Sequence, residues 1–123
     1  MKQPSPKSVE RVAAMTFASI YPLYLARLEK NGRTKKELHK VIKWLTGYDE
    51  KKLKKLIADE VTFETFFNEC KLHPNAHLIK GVVCGYRIEE LEDPFYKKCR
   101  QLEKLIDELA RGRKMEKILR ADE

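Results

Sequence analysis

The feature that most constrains the fold of this chain is its punctuation: helix start and stop signals recur at short intervals, and the apolar residues between them keep helical spacing. Thr34-Lys35-Lys36-Glu37 is a capping box. A threonine there accepts from the amide three residues on, and the glutamate reaches back to the threonine amide. The segment it opens places Leu38, Val41, Ile42 and Leu45 at i, i+3, i+4 and i+7, one helix face, and ends at Gly47. Asp49 caps the next segment, with Leu53, Leu56 and Ile57 inward, and Thr62 caps another carrying Phe63, Phe66, Phe67 and Cys70. Asp93-Pro94 pairs a cap with a proline at the first helical position. The helix it starts runs to Arg111 before Gly112, with Phe95, Cys99, Leu102, Leu105, Ile106 and Leu109 on its apolar face.

The first third of the chain is less regular. Residues 1–7, with Pro4 and Pro6, read as a flexible tail, and a helix is expected from Ser8. Pro22 lacks an amide hydrogen, so the expectation is a break near Ile20–Tyr21 with Pro22 in the first turn of a second helix ending at Asn31-Gly32. Between Leu72 and Asp93, Pro74 opens a short turn through His77, Leu78 and Ile79. Gly81 to Tyr86 is apolar and bracketed by glycines, which suits a buried loop or a short extended piece. A last turn carries Met115, Ile118 and Leu119. These segments predict an all-α orthogonal bundle of five to seven short helices, forming one domain over residues 8–121, with an irregular glycine-bracketed segment near 81–86.

Charge is unevenly spread. The net charge is +7, and residues 1–60 hold 14 Lys/Arg against 7 Asp/Glu, while the remainder balances. A basic half attracts nucleic acid or acidic proteins, and equally it keeps a helical surface solvated. The three cysteines are odd in number and form no CxxC pair, which suits reduced thiols and a cytoplasmic setting. The apolar stretch 12–26 is interrupted by Thr16, Ser19 and Pro22 and is too short to span a bilayer, so no membrane association is expected.

Several clusters are candidates for chemistry. The segments 35–46 and 50–58 have the outline of a helix-turn-helix, and the second carries Lys51, Lys52, Lys54 and Lys55. Lysines hold phosphates, but base reading needs Arg, Asn, Gln, Ser or Thr, so the reading is an ordinary αα-hairpin with an exposed lysine face, and weak, non-specific nucleic-acid contact is the alternative. Cys70, His73, His77 and Cys84 supply ligand types for zinc, yet Cys70 belongs to the phenylalanine stripe and the spacing fits no familiar finger; no metal is expected. Cys84 with His77 is a candidate nucleophile and base, against a buried, inert thiol. Glu89, Glu90, Glu92 and Asp93 suit acid–base work, or simply a helix start; His77, Cys84 and Glu92 form the candidate reactive cluster. Tyr21, Tyr24, Trp44 and Tyr48 are candidates for a shallow binding groove. Phosphate-loop, dinucleotide-binding, zinc-protease and serine-hydrolase motifs are missing from the sequence, and no cofactor is expected.

Met15-Thr-Phe-Ala-Ser-Ile-Tyr-Pro-Leu-Tyr24, Gly32-Arg-Thr34, Trp44-Leu-Thr-Gly-Tyr-Asp49, Val61-Thr-Phe-Glu-Thr-Phe-Phe67, His77-Leu-Ile79, Gly81-Val-Val-Cys-Gly85, Glu92-Asp-Pro94 and Met115-Glu-Lys-Ile-Leu-Arg120 together resemble domain of unknown function 2200, a family of small bacterial proteins. The resemblance covers about residues 10–120. It implies a compact, helical, cytoplasmic protein and assigns no activity, cofactor or catalytic residue. The functional expectation is a non-enzymatic binding or interaction module, monomeric or homodimeric. A weak nucleic-acid-associated protein and a cysteine/histidine or acidic-cluster enzyme stand as alternatives.

Overall fold

The computed structural model describes residues 2–120. It is an all-α fold with seven helices among those residues: α1 Pro6–Ala14, α2 Phe17–Lys30, α3 Lys35–Thr46, α4 Glu50–Ala58, α5 Phe63–Asn68, α6 Pro94–Ala110 and α7 Met115–Ile118. Residue 121, which the sequence places in the domain, lies outside the described residues.

The predicted caps are made. Both hydrogen bonds of the Thr34–Glu37 capping box form. Asp49, Thr62 and Asp93 each accept from the amide three residues on. Gly47 ends α3 with φ +78, and a Cβ there would meet Lys71 at 3.4 Å. A side chain at that position would therefore be strained by its backbone and would sit in contact with the segment after α5.

The N-terminal expectations need correction. Helix α1 starts at Pro6, capped by Ser5, two residues before the start expected at Ser8. Gln3 is held on the body: its Nε2 donates to Glu90 O at 2.7 Å and its Oε1 accepts from Glu92 N at 3.0 Å. The break expected at Ile20–Tyr21 falls instead at Met15–Thr16, and Pro22 sits inside α2. The reason is tertiary. Thr16 and Thr62, caps of α2 and α5, form an isolated antiparallel bridge. Phe17 N donates to Val61 O at 2.9 Å and Phe63 N to Met15 O at 2.7 Å. Both caps need extended backbone, and the bridge satisfies amides that a helix start leaves open.

The core is one continuous cluster drawing on every helix but α1, which packs on it through the partly buried Val12. Phe17 stacks on Phe66 with ring centroids 4.0 Å apart, and Phe63, Phe67 and Tyr48 pack edgewise around that pair. Helix α6 runs against α2, α3, α5 and α7. The glycine-bracketed segment is a small hairpin: β1 Val82–Val83 pairs with β2 Tyr86–Arg87 across Cys84-Gly85. Both turn residues have positive φ, 52° and 83°, as a two-residue turn matched to strand twist requires. No described helix is long and apolar enough to cross a membrane.

Candidate functional site

Helix α3 buries Leu38, Val41, Ile42 and Leu45. That leaves Lys40, Lys43 and Trp44, at i, i+3 and i+4, on a common outer stripe. The segment after α5 returns along the end of α3. Lys71 N donates to Thr46 O at 2.9 Å and His73 N to Leu45 O at 3.0 Å, pairing carbonyls that a helix terminus leaves open. This lays the His73 imidazole on the Trp44 indole, with centroids 4.1 Å apart and planes 16° from parallel. The pair floors a groove of about 470 Å³, completed by Leu72, Pro74 and Leu119 and edged by Lys40, Lys43 and Lys71. That size is typical of a ligand site.

A second depression of about 460 Å³ adjoins it, sharing Leu72, His73 and Pro74 and adding His77, Lys97, Lys98 and Gln101. The hydrogen bonds here fix the neutral tautomers. His73 Nδ1 accepts from Asn75 N at 2.9 Å, so its proton sits on Nε2. His77 Nδ1 donates to Pro74 O at 2.8 Å, leaving Nε2 as an acceptor. Two buried polar atoms in these walls, Trp44 Nε1 and Gln101 Oε1, have no hydrogen-bond partner. Gln101 is oriented by its Nε2, which donates to Ala76 O at 3.2 Å. Among the described residues, five lysines line the two depressions and no carboxylate does.

The four candidate groove aromatics do not form one groove. Trp44 lies in the groove just described. Tyr48 is buried, its hydroxyl donating to Phe66 O at 2.7 Å. Burial, with smaller contributions from Cys70 and Glu69, pushes its hydroxyl up to about 12. Tyr24 lines a small depression with Arg100 and Glu103, and burial followed by the Glu103 charge raises its phenol. Tyr21 joins a chain of side chains linking three helices: its hydroxyl bonds His39 Nε2, and His39 Nδ1 meets Glu50 Oε1 at 2.9 Å. The carboxylate only accepts, so neutral His39 carries its proton on Nδ1 and accepts from Tyr21.

Lys51, Lys52, Lys54 and Lys55 are exposed on α4, and Lys55 pairs with Asp59 at 3.0 Å. His77, Cys84 and Glu92 stand apart. His77 lines the second depression, Glu92 lies beside Gln3 on another face, and Cys84 occupies the hairpin turn. Cys84 is exposed, against the expectation of a buried thiol. It donates to Glu103 Oε2 at 3.0 Å. Desolvation, then the Glu103 hydrogen bond and charge, push the thiol up to about 11, the wrong direction for a nucleophile at neutral pH. Of the candidate zinc ligands, His73 is stacked on Trp44 and Cys84 is bonded to Glu103, and no group of three His, Cys, Asp or Glu among the described residues is placed to hold a metal. Asp93 is the cap expected of it, and Glu89 accepts from Gly81 N at 2.9 Å.

Sequence reasoning singled out Trp44 but missed its lysines and His73. The i, i+3, i+4 spacing of Lys40, Lys43 and Trp44 was available as a signal. The approach of His73 was not, because it depends on backbone pairing between segments far apart in sequence.

Residues 11–120 match the profile of a family described as an uncharacterized protein conserved in bacteria (DUF2200). The structure is similar to the crystal structure of an uncharacterized protein, SP1917, with TM-score 0.85 and 34% identity, over 89% of this chain and 91% of that one. No curated protein matches in sequence.

Proposed function

Because the chain belongs to the DUF2200 family of uncharacterised bacterial proteins, we propose its function from the groove itself: it is a non-enzymatic binding module that takes an anionic ligand over Trp44 and His73. The observation that carries this reading is that, among the described residues, five lysines and no carboxylate line the groove and its neighbour. Such a surface attracts negative charge and leaves an apolar, aromatic floor for the rest of the ligand. The three free thiols suit a reducing compartment, which supports a cytoplasmic setting.

Trp44 is the only tryptophan beside five tyrosines, so indole emission, excited selectively at the red edge, reports on the groove. Titration with polyanions at low salt is expected to give a saturable emission change that is lost in a Lys43→Glu/Lys71→Glu variant. Constant emission with polyphosphate, polyglutamate and single-stranded oligonucleotides alike would overturn the reading.

A second reading, weak nucleic-acid contact through α4, is supported by the exposure of Lys51, Lys52, Lys54 and Lys55. Reversing those four charges separates it from the groove: binding that disappears belongs to α4, and binding that persists does not.

A further inference from the structure

We infer that the occupant of the groove is single-stranded nucleic acid, with a base continuing the Trp44–His73 stack and phosphates running along the lysines. This rests on the groove being the binding site, and four observations take it further. First, the floor is a pair of nearly parallel flat rings, a platform on which a third flat ring stacks whatever its edge chemistry.

Second, every cationic side chain lining the two depressions is a lysine. Lysine binds phosphate as a compact point charge, whereas protein-binding surfaces are enriched in arginine and depleted in lysine. Third, the positive groups extend through two adjoining depressions, from Lys40 and Lys43 past Lys71 to Lys97, with the Lys98 ammonium held on Phe67 O at 3.2 Å. A run of charge of that kind fits a chain of phosphates better than one anion.

Fourth, the histidines in the walls offer one donor, His73 Nε2, and one acceptor, His77 Nε2, when neutral. Base edges and sugars present both kinds of partner, while the side chains of an acidic peptide present acceptors.

The test is fluorescence anisotropy of labelled oligouridylate and oligothymidylate with the full chain, with unlabelled polyglutamate and a mononucleotide as competitors. Binding of either oligomer is expected at low salt, weakening with salt along a log–log slope of about −2 for three phosphate contacts. Trp44→Ala is expected to weaken binding about 5- to 100-fold, as loss of one stacked base does. Trp44→Phe, which keeps a flat ring in the core packing, is expected to retain most of it, and circular dichroism of both variants checks folding. Lys43→Glu/Lys71→Glu is expected to abolish binding, and Lys51→Glu/Lys52→Glu to leave it.

Several results would overturn the inference. If polyglutamate shifts Trp44 emission and the oligomers do not, the ligand is an acidic chain, and the groove stands as a binding site without nucleic acid. If a mononucleotide competes as well as the oligomer, the polymer assignment falls. If the oligomers bind with full affinity to Trp44→Ala, the stacking assignment falls. If neither polyanion reaches Trp44, the groove reading falls with it.

Discussion

Asp107 and Glu108 are neighbours on α6, 8% and 5% exposed, and each is held by two arginines. Arg27 and Arg111 reach Asp107 at 2.7 and 3.0 Å, and Arg113 and Arg120 each reach Glu108 at 2.8 Å. Burial alone would raise the Asp107 carboxyl, but the hydrogen bonds from Arg27 and Arg111 overcome it and hold it below its ordinary range. A depressed carboxylate contributes stability above its unfolded pKa and loses it as pH falls through the folded value. Asp107→Asn is therefore expected to cost about 1–3 kcal/mol at neutral pH. In urea titrations that deficit should shrink below about pH 4, the unfolded aspartate value. A deficit of constant size at every pH would refute the assignment. At Cys84, alkylation should be slow at neutral pH and accelerate about tenfold per pH unit up to about pH 10, as a thiol shifted to about 11 requires. Glu103→Gln removes an accepting charge and should speed the reaction; an unchanged rate would show that Glu103 does not govern the thiol. Little at this scale is legible in the sequence. Nothing in the spacing of Arg27 and Asp107, or of Cys84 and Glu103, announces their meeting, because both pairs are made by the packing of α6 against distant segments.

At the scale of elements the sequence is far more readable, and the exceptions are instructive. The capping box, the Asp93-Pro94 start and the stops at Gly47 and Gly112 are local chemistry and form as expected. Pro22 is misplaced by the same logic, since the local cost of an interior proline argues for a break beside it. The fold accepts that cost because the start of α2 is set elsewhere. Phe17 is fully buried on Phe66, and its amide is paired to Val61. Pro22→Ala should then stabilise the protein, by less than the ~3 kcal/mol of an interior proline because the freer unfolded chain offsets part of it. Thermal unfolding reads this directly; a lower midpoint would mean that the proline ring is needed where it is. Thr16→Ala should cost about 1 kcal/mol for the lost cap. A neutral result would show that the bridge alone sets the helix start.

Over the whole molecule, helices meet through a single core, and a chain of polar side chains ties three of them together. The chain Tyr21–His39–Glu50 joins α2, α3 and α4, and His39 is 12% exposed. His39→Leu leaves a tyrosine hydroxyl without its partner and should cost about 1–3 kcal/mol. Tyr21→Phe and His39→Leu should be strongly non-additive in a double-mutant cycle; simple additivity would mean that the tie is not a unit. The fold class was legible at this scale because it follows from periodicity and caps. The groove was not, because it arises where segment 71–74 crosses the end of α3, and no helical rhythm encodes a crossing.

The paired caps Thr16 and Thr62 fasten a ring of chain containing α2, α3 and α4. A ring fastened by its own clasp tolerates being cut elsewhere. A protease nick at the open Asn31–Gly32 turn, where even an added Cβ would touch nothing within 4 Å, leaves the clasp shut and the fragments locked together. A nick between Met15 and Phe17 opens the clasp itself. Two fragments divided at Gly32 are thus expected to reassemble on mixing, read as recovery of helical circular dichroism; fragments that stay unfolded together would mean the clasp does not hold them.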